Sequence, residues 1–469
     1  MNSKISYIGS GAVLIGALLI IIIKPISSLS TQGQVVLAGI LITLGLWIFK
    51  PFKLPFSAGA LFFAAYMMAV GIPTATVFSG FTQSAVWTLV AALFFGFVLK
   101  KTGLGYRLAL MILKLFRPSY LTLTLAWALI GLILSVLTPS MTVRVAIMMP
   151  IAVSCTELCN LKAGSKGNSL ILLTAFAMAL IPGGGWITGS LTGPVLQGAY
   201  DSVQGLEGML NFTSWFSVSF VPVEIATVLM LAGSLIFLKP KEKLPEEAAR
   251  AIKETKLGRI KKDEIITAVI LVACFILFLS GNKLSISSTI VCLGAVVLFF
   301  AFGIIKASEI GEAVSWDLIV FLGMALSLGN ICSSVGIIEW LSGLIVPALK
   351  PFAGNPFLFV GVVTVFFFMW HFIDIASFFP TFVIFPAVFP AIQEAYGVSP
   401  LIFAPILALA GCAFFVSYEN HWVLMGQAVA RERSWTGAHL GTYGTIYFVS
   451  SLIGIMIAVP IWQNMGLIF

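Results

Sequence analysis

Long apolar stretches recur along this chain, separated by short polar or Pro/Gly-rich segments. A helix crossing a bilayer needs ~20 mostly apolar residues. By that measure spans fall at 7–23, 33–50, 55–72, 83–101, 213–238, 265–281, 285–304, 316–346 and 440–467. The first of them is long enough to cross and no clear small-residue cleavage site follows it, so it reads as a span and not as a cleaved signal. Four other apolar stretches are interrupted in the middle. Stretch 121–156 splits at Thr138-Pro139-Ser140, and 168–198 splits at Pro182-Gly183-Gly184-Gly185. Stretch 355–392 splits around Asp374 to Pro380, and 399–430 around Ser417 to His421. In lipid, non-helical backbone survives only where protein or a water-filled cavity satisfies it. Matched interruptions of this kind point to a transport site.

The interruptions repeat. The segments from Thr138 through Pro150 and from Ser377 through Pro386 each join a polar knot to a short apolar helix with a proline about nine residues on, half the chain apart. Each is followed by a broken stretch, Gly189 to Pro194 in the first half and Ser417 to His421 in the second. The competing reading is a pair of ordinary Pro/Gly kinks, which membrane helices tolerate. Basic residues favour the repeat. Lys50, Lys53, Lys100, Lys101, Arg107, Lys306, Arg431, Arg433 and the 239–262 cluster belong inside, whereas loops 73–82 and 199–212 carry no Lys or Arg. These assignments alternate only if 121–156 and 355–392 each enter and leave by one side, the first from the cytoplasm and the second from the exterior. Lys24, Lys283 and Lys350 fall outside on this scheme.

The expected fold is an all-α polytopic membrane protein with about eleven transmembrane helices plus two re-entrant hairpins in an inverted repeat, N-terminus cytoplasmic and C-terminus external. Residues 1–238 would hold the first repeat (hairpin 121–156, broken helix 168–198). A charged cytoplasmic loop, 239–264, part of it a surface helix, would lead to the second repeat in 265–469 (hairpin 355–392, broken helix 399–430).

Composition agrees: 59% of the 469 residues are hydrophobic and 9% charged. The net charge of +8 is no nucleic-acid footprint, because nine of the 26 basic residues lie between Lys239 and Glu264, interleaved with six acids. The six cysteines sit singly in apolar segments, apart from Cys155 and Cys159 one helical turn apart, and read as buried packing. No phosphate-binding loop, zinc spacing or nucleophile elbow occurs, and His371 and Asp374 do not have the spacing of membrane acyltransferase centres. No cofactor is implied, and no enzyme activity.

Helix starts at the hairpin tips offer N–H groups to an anion, while carbonyls and hydroxyls at the breaks suit a small hard cation. First-half candidates are Ser140, Thr142, Thr188, Ser190 and Thr192; second-half candidates are Ser377, Thr381, Ser417 and Asn420. A Ser or Thr bonded back to its own helix is the common alternative for each. Ionisable groups within spans are functional by default. Arg144 either attracts an anionic substrate or pins the hairpin to a carbonyl; the first is expected. Asp374 and His371 hold a cation, relay a proton or pair structurally. Glu224 and Glu419 are open in the same way, and Asp317 reads as a helix-start acid.

Gly80-Phe81 with Val86-Trp87, the run Lys101 to Gly105, and the run Trp316 to Gly323 together resemble the divalent anion:sodium symporter family, over roughly residue 60 to the end. Pro139-Ser140-Met141-Thr142-Val143-Arg144 is similar to that family's hairpin-tip motif, Ser-Asn-Thr or, in the dicarboxylate branch, Pro-Ser-x-Thr-Ala-Arg. The resemblance implies a homodimer with a scaffold and a moving transport domain, working by an elevator motion. It implies a small di- or tricarboxylate substrate and sodium as coupling ion. Substrate would contact Ser140, Thr142, Arg144, Pro194, Ser377 and Asn420. Cation would be held by Ser140, Met141, Thr188, Gly189, Thr192, Asp374, Ser377, Ser417 and Glu419. The chain departs from the family where Met141 replaces an asparagine, where the second tip reads Ala376-Ser377-Phe378-Phe379-Pro380, and where Glu419-Asn420-His421 replaces a Gly/Thr/Pro-rich stretch. Asp374 or Glu419 would then supply missing negative charge, and one coupling ion would be a proton or a differently held sodium. Sodium-driven anion transport across a plasma or inner membrane is the expected function. An exchanger or proton-coupled carrier is the alternative, with an ion channel the rival of another class.

Overall fold

The computed structural model describes residues 3–240, 244–245, 257–284, 286–374 and 378–469, and every regular element among them is helical. The surface helix expected within 239–264 falls largely outside the described residues, as does Ser377. Nine stretches among the described residues are long and apolar enough to cross a membrane, and shorter apolar helices accompany them.

The first half runs α1 (Ser3–Ile23), α2 (Thr31–Phe49), α3 (Phe56–Ala69), α4 (Ser84–Thr102) and α5 (Leu104–Leu115). It continues with α6 (Tyr120–Leu137), α7 (Met141–Leu158), α8 (Lys166–Leu180), α9 (Thr192–Asp201) and α10 (Phe212–Phe237). The second half runs α11 (Lys262–Leu284), α12 (Ser288–Ala301), α13 (Trp316–Leu326), α14 (Ile337–Leu349) and α15 (Pro356–Trp370). Then come α16 (Phe379–Ile384), α17 (Phe389–Tyr396), α18 (Phe403–Ala410), α19 (His421–Ala430) and α20 (Gly437–Asn464).

Packing exchanges the halves. α3 lies on α13 while α4 lies on α12; α7 lies on α19 while α9 lies on α16; α10 lies along α20. Each pairing has its counterpart with the halves swapped, as an internal two-fold relation requires.

α6 and α7 form the first hairpin. Ser119 and Thr122 close a capping box at the start of α6, satisfying orphan N–H groups. Pro139 disfavours helical backbone at Thr138, which is extended at φ −151°, ψ 130°. The Tyr120 hydroxyl lies against Gly167, so the hairpin's entry sits beside the segment that follows its exit. This base also meets the approach to α20: Asn168 Nδ2 donates to the Arg433 carbonyl at 2.7 Å, and Arg433 pairs with Glu157 at 3.1 Å.

The base of the second hairpin lies at the other end of α20. The Phe359 ring is 6.3 Å from Tyr396 and 6.4 Å from Phe469, and the Ser399 N–H donates to the Leu467 carbonyl at 2.8 Å. α20 has 28 residues, about 40 Å of helix. The two hairpins therefore enter from opposite faces. Their returning arms differ. Pro150 is carried inside the unbroken 18-residue α7, whereas the second arm is two short helices joined by a 3-10 turn at Phe385–Val388. Pro380, Pro386 and Pro390 each open one of those pieces, and each lacks the N–H that would continue the previous helix.

Basic loops gather on one face. Lys101 reaches Glu309 at 2.5 Å and the Ile304 carbonyl at 2.8 Å. Arg107 pairs with Glu264 and donates to the carbonyls of Gly258 and Arg259 at 2.8 and 3.0 Å. These partners hold the Glu309 and Glu264 carboxyls below the usual range.

Candidate functional site: two hairpin tips and two helix breaks

The break between α8 and α9 covers 181–191, and that between α18 and α19 covers 411–420, the second wider than the sequence suggests. In the first, a Cβ on Gly183 would collide with the Gly189 carbonyl and one on Gly193 with the Ile187 carbonyl. Only glycine allows backbone to fold on backbone so closely.

Arg144 joins the first tip to this break. Its side chain is fully buried. Nε donates to the Ala179 carbonyl at 2.6 Å, and Nη1 to the carbonyls of Thr138 at 2.9 Å and Gly189 at 2.5 Å. These are the carbonyls that a chain leaving helical geometry exposes. Of the two roles weighed for Arg144, these contacts favour the pin, while Nη2 is buried with no hydrogen-bond partner among the described residues and is free to meet an anion.

Ser140 caps α7, its Oγ accepting from the Val143 N–H at 3.3 Å. Thr142 Oγ1 accepts from the Trp422 indole at 3.1 Å, so the first tip touches the second break. Asn420 caps α19 through the Trp422 N–H at 3.0 Å and donates to the Ala413 carbonyl at 3.1 Å. Ser140, Thr142, Leu191, His421 and Trp422 line a cavity of about 540 Å3, into which Lys50 and Lys100 also project.

Other candidates stand elsewhere. Thr188 and Pro194 line a separate void of about 20 Å3 beside Pro139, Cys274 and Cys292. The hydroxyls of Thr188 and Ser190 are buried and have no hydrogen-bond partner among the described residues. Met141 and Thr192 are buried, and the Gly189 carbonyl is taken by Arg144. At the second tip, Asp374 Oδ2 accepts from the Thr381 N–H at 3.0 Å and hydroxyl at 2.5 Å. Glu419 Oε2 accepts from the N–H groups of Phe415 at 2.6 Å and Val416 at 3.2 Å, while Oε1 is buried with no partner among the described residues. The Glu419 carbonyl meets His371 Nε2 at 3.2 Å, and the His371 ring stacks on Phe378. His371 and Asp374 thus face different partners. Ser417 is half-buried. Glu224, on α10, sits beside Gly185 with Oε1 buried and without a partner among the described residues. Asp317 caps a helix other than its own as well, accepting from the Ser57 N–H at 2.7 Å at the start of α3. Lys50, Lys100 and Trp422 escaped the sequence reading. The adjacency of Trp422 to Asn420 is the signal that could have found it.

Opposed hairpins whose tips meet two broken helices in the middle of an apolar bundle define a multi-pass membrane transporter. The family follows from the sequence: residues 8–468 match the family described as "Sodium:sulfate symporter transmembrane region", and the chain belongs to it. Its relatives are transporters and not enzymes. "Dicarboxylate transporter 1, chloroplastic" of Arabidopsis thaliana is 24% identical over 88% of this chain and 75% of its own length. "Putative malate transporter YflS" of Bacillus subtilis is 25% identical over 66% of this chain and 65% of its own. "Citrate/succinate antiporter" of Escherichia coli is 26% identical over 64% and 62%. Among solved structures, the Alcanivorax borkumensis YdaH transporter shares the fold, with a TM-score of 0.51 and 15% identity over 84% of this chain and 88% of that one.

Proposed function

We propose that this chain moves a small anion, a di- or tricarboxylate, by sodium-coupled secondary transport with elevator-type alternating access. The observation that carries this reading is the meeting of the first hairpin tip with both helix breaks, through Arg144 and Gly189 at one and Thr142 and Trp422 at the other. Names of relatives support the substrate class: dicarboxylate, malate, and citrate with succinate. The basic face is cytoplasmic, with eleven crossings, the N-terminus inside and the C-terminus outside. Residues 1–238 and 265–469 act as the two inverted repeats, and two copies form a homodimer.

Ser140 and Thr142 bind the substrate with Asn420 and Ser377, while Arg144 positions the first tip. Thr188, Ser190 and Thr192 with main chain at Met141 and Gly189 hold sodium; the unpartnered hydroxyls of Thr188 and Ser190 support this. Asp374, Ser417 and Glu419 serve the second break. Moving one unit charge yields about 2.3 kcal/mol per 100 mV, so sodium in excess of substrate charge makes uptake electrogenic. The second reading is exchange or proton coupling. It is favoured by the buried Glu419 carboxylate at a break and by the relative named an antiporter.

The test is uptake into proteoliposomes of malate, succinate, citrate and sulfate, with sodium, proton or counter-anion gradients imposed singly. Sodium-driven accumulation of a dicarboxylate is expected. Stimulation by counter-anion or protons alone selects the second reading. Uptake of none, or uptake indifferent to every gradient, removes both.

A further inference from the structure

The cavity at the first tip does not end there. A second cavity of about 530 Å3 adjoins it, and Lys50 and His421 line both. Together they form a vestibule from the basic face to Ser140 and Thr142. Its charged lining is uneven. Lys50, Lys53 and Lys100 face Glu312 and Asp317, and the Asp317 carboxylate is engaged by the N–H groups that open α3. Lys101 is neutralised by Glu309, but Lys50 and Lys100 make no ion pair among the described residues.

Lys50 is also placed in an unusual way. It ends α2 in left-handed backbone at φ 43°, ψ 56°, where its N–H returns to the Leu46 carbonyl. Such a conformation is uncommon for a residue with a side chain and persists where the surroundings impose it. Its ammonium lies 3.4 Å from the centroid of the Phe56 ring, on the cavity wall.

We infer that Lys50 and Lys100 form an anion station in the vestibule, on the wall across from the tip's own capping groups, which receives a carboxylate of the transported anion on its path to or from the basic face. Unpaired cations on a partly apolar wall focus field along a cleft and raise the local concentration of anions. The station rests on reading the chain as an anion carrier, and it adds a binding step on one side only.

That asymmetry is the test. Wild type, Lys50→Gln, Lys100→Gln and Lys50→Arg are reconstituted in phosphatidylcholine vesicles, and half-saturation for malate is measured separately from each face. Each Gln variant raises half-saturation from the basic face about 3- to 10-fold and leaves the opposite face within about twofold; Lys50→Arg stays near wild type. Detailed balance then raises the ratio of maximal efflux to maximal influx by the same factor as the ratio of the two half-saturation values. Equal rises on both faces, or no change on either, overturn the station while leaving the carrier reading intact. Sidedness that appears only with added anionic lipid assigns the lysines to headgroups and also overturns it. Failure of wild type to carry any carboxylate removes the carrier reading, and the station with it.

Discussion

Replacing Arg144 by methionine separates a structural pin from a substrate ligand. The guanidinium is fully buried and donates to three backbone carbonyls at 2.5 to 2.9 Å. A hydrogen bond from a charged donor contributes about 1.5–3 kcal/mol, and a buried acceptor left unmet costs about 1–3 kcal/mol. Desolvation of the buried cation offsets part of the first figure, so the unmet carbonyls dominate. Three of them give a loss of roughly 3–9 kcal/mol for Arg144→Met. Arg144→Lys falls between, because one ammonium cannot copy the fork that reaches both Ala179 and Gly189. The assay is thermal unfolding of purified protein in detergent, read by size-exclusion and intrinsic fluorescence, beside malate uptake by the same preparations. Arg144→Met should lower Tm by about 3–9 °C, with uptake lost in proportion to folded protein. An unchanged Tm with abolished uptake would refute the reasoning and return Arg144 to the substrate.

Other outcomes follow from the same geometry. Trp422→Phe removes only the bond to Thr142; it should raise half-saturation for malate a few-fold from both faces and cost about 1 kcal/mol in stability, and Thr142→Val should match it without further loss in the double variant. Thr188→Val and Ser190→Ala should raise the sodium concentration for half-maximal uptake about tenfold while folded yield stays near wild type, measured by sodium titration. Gly183→Ala places a methyl group on the Gly189 carbonyl, so expression of folded protein should collapse where Gly11→Ala, with open space around it, has no effect. Arg107 keeps Glu264 ionised below its ordinary 4.5. This tie contributes stability above that pH and loses it as pH falls through the depressed value. Arg107→Gln should therefore lower Tm at pH 7 and by progressively less as pH falls below 4.5.

The apolar helices and the first hairpin turn were legible because their causes are local, whereas the stretch 316–346, expected as one span, is broken at Ser327 and at 335–336. Thr138-Pro139-Ser140 interrupts an apolar run by proline sterics and serine capping, and both leave marks in sequence. Repeat order was legible too, since Pro150 and Pro386 mark corresponding arms. The true width of the second break was not. Residues 411–416 are apolar, and what keeps them out of helix is the Glu419 carboxylate taking the N–H groups of Phe415 and Val416. The partner of Arg144 was equally hidden, because carbonyls carry no residue identity. The vestibule was missed because Lys50, Lys100 and His421 come from segments that meet only in three dimensions.

Cysteines at positions 117 and 162, at the base of the first hairpin, and at 354 and 394, at the base of the second, provide the most direct measurement. Each is introduced singly with the six native cysteines replaced, and labelled by an impermeant maleimide in vesicles of known orientation. The first two should label from the cytoplasmic side and the last two from the exterior. Labelling of 117 and 162 from different sides would mean that 121–156 crosses completely, and the opposed-hairpin architecture would be wrong.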